Sequence, residues 1–477
     1  MSTDAPTRRT TARKRRGRAF VLSFAVVAVA LAVVGLAGAA ATTAQGPRVT
    51  DVQVDPAAAV AASGSRMILT TTQSLHEVDA SQVTVSPATP FTVDTSGRSV
   101  GVRFLLPLHD DTAYTVRIDD VEGLGGGPAA TLSESFRTPP IEVFLLTRGE
   151  QSDTIFRTDL SGESAIPVFT DDHIEDFRAT SSHLVVSVRT PDDIAELIVT
   201  DLDGTGQRTL PLPGDGVITN LQSADRGELI GYTYSDADLS DAGGRESALY
   251  TASLKDAAAD DAPTSVAITG AEPRVAEWRF VPDTDSILLL DFAGALLLTD
   301  ATGADPVSLG AAVAIDGIAR GSSHAVIQRA DGLFVLDLTD GTETPLVDPV
   351  SDLGTPRAVT PLPGEGAGTL RTFSLVYENA AVLSTTVALV ADDGTTTPVF
   401  EVDPADAVLQ TCTSPSGRYA AILVAPDIVD NRYDTYMLPI PRKVQTHVVE
   451  LGDVPEAERE VVAMTGFDIS WCQVPPR

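Results

Sequence analysis

The 477-residue sequence predicts an all-β protein in two parts, a β-sandwich and a ring of seven small sheets, behind one N-terminal apolar helix. Three observations predict it. An uncharged apolar run follows a basic N-terminus, short alternating strands fill residues 49–138, and from Ile141 onward one strand pattern recurs.

Residues 1–18 carry Arg8, Arg9, Arg13, Lys14, Arg15, Arg16 and Arg18 against the single acid Asp4. No charge then occurs until Arg48, and Ala19–Ala41 is apolar but for Ser23, long enough to cross a bilayer core of about 30 Å at about 1.5 Å per residue. A transmembrane signal-anchor over 19–44 is expected, with the basic tail cytoplasmic and the bulk extracytoplasmic. Cleavage after the small residues of Ala37–Ala41 would instead secrete the chain. Arg18 spoils a twin-arginine signal, and no cysteine follows the run to carry a lipid.

Acidic side chains (66) outnumber basic ones (33), for a net charge of -33, although the N-terminal tail is strongly positive. Such a field repels phosphate backbones, so no nucleic acid partner is expected. Apolar residues at 43% and charged ones at 21% are ordinary for a folded globular chain.

Residues 45–139 read as a sandwich. Tyr114, Val116 and Ile118 alternate with Thr115 and Arg117, the period-2 signature of a half-buried strand. Val52-Gln53-Val54-Asp55-Pro56, Leu106-Pro107-Leu108, Thr112-Ala113-Tyr114-Thr115-Val116 and the closing Phe136-Arg137-Thr138 make this stretch resemble the bacterial Ig-like domain of SbsA-type S-layer proteins. Two departures stand out: Met67-Ile68-Leu69 replaces an expected early aromatic, and Gly125-Gly126-Gly127 loosens the last loop. The resemblance implies a spacer that holds a functional head away from the envelope.

Beyond Pro139-Pro140, seven apolar strands recur: Ile141–Thr147, Leu184–Val188, Leu229–Tyr234, Ile287–Asp291, Ala325–Arg329, Thr372–Glu378 and Tyr419–Ala425. In five cases a second strand follows and ends in a Gly-containing turn, at Gly162, Gly204, Gly303, Gly341 and Gly394. Glycine supplies the positive φ that such hairpins need. Six of the seven have an inner strand directly upstream. The first has only Pro-Pro, and Phe467–Cys472 supplies the missing strand from the far end. Residues 140–477 are thus expected to form a seven-bladed β-propeller closed by the C-terminal strand. The turn Ser414-Pro415-Ser416-Gly417-Arg418-Tyr419 resembles that of TolB-type and WD40-like propeller repeats, a pattern degraded at Val281-Pro282-Asp283.

No nucleophile elbow, zinc-protease helix, P-loop or dinucleotide fingerprint occurs, and the six histidines have no metal-ligand spacing, so no catalytic residue and no cofactor is expected. Asp236, Asp238 and Ser240 alternate as in a calcium loop, but Asp241 stands where glycine is needed, and a solvated acidic loop is the stronger reading. The insertion Pro426–Val444 carries Arg432, Tyr433, Tyr436 and Arg442, residue types enriched at interfaces. Packing over its own blade edge is the competing reading. Trp278 and Trp471 occupy equivalent repeat positions on inner strands, where packing between blades explains them. Cys412 and Cys472, the only cysteines, fall on neighbouring inner strands and are expected to form a disulfide. The function expected is that of a membrane-anchored binding or scaffold protein of a bacterial cell envelope, engaging a protein or cell-wall component. The alternative is a hydrolase or lyase acting on polysaccharide or peptide through the propeller channel.

Overall fold

The structure, a computed structural model, describes residues 20–36, 46–224, 228–240, 243–377, 382–452 and 454–476. The chain is almost wholly β, in two compact units. The first takes residues through Asp55 with Arg66–Arg103 and Ala113–Phe136; the second takes Pro56–Ser65, Phe104–Thr112 and everything from Arg137.

Residues 20–36 form a helix with every side chain exposed. Among the described residues no helix is long and apolar enough to cross a membrane. The basic tail, and residues 19 and 37–44 of the expected anchor, lie outside the described residues.

The first unit holds a four-stranded sheet (Val49–Gln53, Arg66–Thr71, Ser99–Phe104, Phe91–Ser96) and a three-stranded one (Val83–Ser86, Ala113–Val121, Ala130–Arg137). Each has one buried row. Met67 and Leu69 are buried in the first sheet, and Tyr114, Val116 and Ile118 in the second, as strand alternation dictates for a sheet with one buried face.

Among its described residues the second unit contains seven successive antiparallel sheets. Six are four-stranded and simply ordered, with inner strands Ile174–Ala179, Gly216–Ser223, Val275–Phe280, Ala314–Ile318, Thr355–Pro361 and Ala407–Thr413. The first sheet has three strands, Glu142–Thr147, Asp153–Asp159 and Ala165–Asp171. Its inner position is filled from the C-terminus. Leu146 and Phe467 exchange two backbone hydrogen bonds at 3.0 Å, and Ser470 N donates to Phe144 O at 3.0 Å. The segment is not the regular strand expected at Phe467–Cys472: Asp468 takes φ 55, a left-handed conformation that interrupts the ladder after one bridge.

Blades stack through their apolar faces. Val185 of the second blade clusters with Leu221, Ile230 and Tyr232 of the third. The Trp278 ring of the fourth blade lies so close over Gly231 of the third that a methyl group there would overlap it. This is the packing role expected of the tryptophan.

Candidate functional site

Every regular inner strand carries a β-bulge: register shifts occur at Ile174/Asp176, Thr219/Gln222, Val275/Glu277, Ile315/Gly317, Pro356/Ala358 and Val408/Gln410. A bulge re-aims a side chain and sharpens twist, and here the device repeats around the inner wall. Beyond it, side chains reach to the next blade. Arg178 Nε donates to Leu221 O (2.8 Å), Gln222 Nε2 to Trp278 O (2.7 Å), Arg279 Nη2 to Ile315 O (3.1 Å) and Gln410 Nε2 to Val474 O (2.8 Å). Together these bonds form a polar belt tying one blade to its neighbour.

The belt is most highly charged where the C-terminal segment enters. Arg178 Nη1 lies 2.6 Å from Asp468 Oδ2 and 2.9 Å from Asp176 Oδ1, all three side chains being nearly inaccessible. Burial, and then the neighbouring Asp468, outweigh Arg178 and hold the Asp176 carboxyl well above its ordinary range. Cys412 and Cys472 are joined, with Cα atoms 5.4 Å apart. The bond fastens the C-terminal segment to the inner strand of the seventh blade.

A cavity of about 300 Å³ opens where the inner strands of blades five to seven end. Arg279, Asp316, Arg320, Arg357 and Trp471 line it, together with the disulfide. In the sequence Trp471 is marked only for packing between blades and the cysteines only for a disulfide, and nothing marks the arginines. They are scattered over 79 residues, and only the bulges and repeat register bring them to one wall.

The opposite end of the channel carries the insertion. Ala407 pairs with Ala425, so the loop that follows leaves at the face where inner strands begin. Tyr433 and Pro441 form a bridge, and Asn431 holds Lys443 through Asn431 Nδ2 to Lys443 O (2.7 Å) and Lys443 N to Asn431 Oδ1 (3.0 Å). The insertion does not fold over its own blade edge alone, as the packing reading supposed. It reaches the first and second blades. Arg148 and Asp434 pair at 2.8 Å, Arg148 stacks 3.8 Å over the Tyr436 ring, and His173 stacks on the same Tyr436 ring with centroids 4.0 Å apart. Tyr436 Oη donates to Asp153 Oδ2 at 2.8 Å, and Met437 N donates to buried Glu175.

Of the four interface candidates, Tyr436 is therefore committed to the fold, whereas Arg432, Tyr433 and Arg442 are exposed. Burial pushes the Tyr436 hydroxyl up, assisted by Asp153; burial likewise raises Asp153 despite its hydrogen bonds. The acidic loop differs from a calcium site. Asp236 receives Arg245 N and Nη2 at 2.6 Å each, which holds its carboxyl down at about 2, while Asp238 and Ser240 point outward exposed. Among the described residues no group of His, Cys, Asp and Glu could hold a metal, and Asp241 lies outside them.

Seven stacked antiparallel sheets with shared inner-wall bonds define the class, a β-propeller protein. No protein-family model and no curated protein matches the sequence. Among solved structures the chain is similar to a TolB protein from Agrobacterium tumefaciens, at 16% identity and TM-score 0.35 over 69% of this chain and 89% of that one. It is similar to the Cps50 (Swd1) β-propeller domain of Myceliophteria thermophila, at 14% identity and TM-score 0.39 over 62% and 86%. An oligogalacturonate lyase in complex with manganese matches at 12% identity and TM-score 0.43, over 71% and 94%.

Proposed function

We propose that the chain is a binding protein of a bacterial cell envelope, held at the membrane by its N-terminal apolar segment with the bulk extracytoplasmic. In this reading residues 45–139 are an SbsA-like Ig-like stalk, and residues 140–477 a seven-bladed propeller that the C-terminal segment closes. The propeller engages an acidic protein or cell-wall component through the tip of the insertion after the seventh blade's second strand.

One observation carries the reading: Val429, Tyr433 and Met437 are 88%, 52% and 46% exposed beside the exposed cations Arg432, Arg442 and Lys443. An apolar and cationic tip on a chain of net charge -33 is out of keeping with a merely solvating surface. Its base is pinned by Arg148, Asp153 and Glu175, so the tip is presented on a rigid support. The test is photocrosslinking in the native cell, with the crosslinking residue placed at Tyr433 or at exposed Val350. A discrete adduct from position 433 alone supports the reading; no adduct there, or the same products from both positions, sinks it.

A further inference from the structure

We propose that the cavity at the other end of the channel binds a small carboxylate ligand, with Arg357 as its ionic anchor. This site is separate from the insertion tip and does not depend on the partner reading above.

Charge is the first argument. Acids outnumber bases two to one in the chain, yet three arginines and one acid line this cavity. The inversion is local, and a concave wall lined by one sign of charge concentrates counter-ions. Two of the arginines have structural duties: Arg279 donates to Trp278 O and Ile315 O, and Arg320 to Trp471 O at 3.4 Å. Arg357 has none. It is exposed and has no ion-pair or hydrogen-bond partner among the described residues. It is also the extra residue of the sixth blade's bulge, between Pro356 and Ala358, and so stands out of the regular ladder.

Size is the second argument. The volume of about 300 Å³ is at the small end of ligand sites, which suits a small organic acid and excludes a folded partner. Guanidinium and carboxylate match as two parallel N–H···O bonds, so the planar carboxylate is the favoured oxyanion.

The experiment titrates citrate, inorganic phosphate and the uncharged control glycerol into the purified full chain, by calorimetry and by intrinsic fluorescence from its two tryptophans. Citrate is expected to bind saturably and to change Trp471 emission, a change lost in Trp471→Phe. Arg357→Gln should weaken citrate by about tenfold or more while leaving the ligand-free melting temperature unchanged. Arg357→Lys, which keeps the charge and loses the fork, should fall between the two. Arg432→Gln, at the opposite end of the channel, should bind as the wild type does. Absence of saturable citrate binding overturns the proposal, as does binding unaffected by Arg357→Gln. Phosphate binding tighter than citrate overturns the carboxylate assignment.

Discussion

Asp176 and Asp468 place two carboxylates against one guanidinium, Arg178, in a wall nearly closed to water. Because the folded state raises the Asp176 pKa above its unfolded value, the folded chain binds more protons here than the unfolded one. Stability from this group is fully present below the ordinary carboxylate pKa of about 4 and is lost as pH rises through the raised value. Asp468→Asn removes one of the two influences that raise Asp176, leaves the larger effect of burial in place, and should make that decline smaller. Urea midpoints for wild type and variant across pH 5–8 check this; parallel curves would count against it. At the insertion, Tyr436→Phe removes the hydrogen bond to Asp153 and should cost about 1 kcal/mol, whereas Tyr433→Ala should leave the thermal midpoint in place. These two tyrosines were indistinguishable in the sequence. Residue type marks both as interface-like, and only the distance to Asp153 separates a structural tyrosine from a free one.

At the scale of elements, period and turn chemistry were legible. Five turn glycines hold φ between 67 and 85, and the expected Tyr419–Ala425 strand appears with those bounds. The bulges were not legible, because a shift of one residue on a strand buried on both faces leaves the apolar run unchanged. For the same reason Asp468 looked like an ordinary strand residue. Its positive φ leaves the closing segment with a single bridge, so other bonds must hold it. The disulfide is the strongest. Cys412→Ser with Cys472→Ser should lower unfolding free energy by up to about 4 kcal/mol for a loop of 60 residues, and reduction of the wild type should reproduce the loss in a denaturant titration. Gly231→Ala tests the blade contact independently: a methyl group against the Trp278 ring should cost about 1–3 kcal/mol.

At the scale of the whole molecule, composition spoke to the field and the repeat to the architecture, but the cavity needed three dimensions. Arg279 and Arg357 are far apart in sequence and meet only because successive blades set equivalent positions around one axis. The anchor belongs to this scale too. If the N-terminal segment is retained, the chain should stay with membranes through an alkaline wash and its first residue should be Met1 or Ser2; a mature N-terminus near Thr42 would show release instead.

The join between Phe144 and Ser470 spans 326 residues of sequence. During synthesis the first blade must therefore wait, one strand short and with an open edge, until nearly the whole propeller has been made. The six later blades, each built from consecutive strands, can form in order as they emerge. Until Phe467–Ser470 is made, the backbone groups of Phe144 and Leu146 that it will bond remain open on that edge.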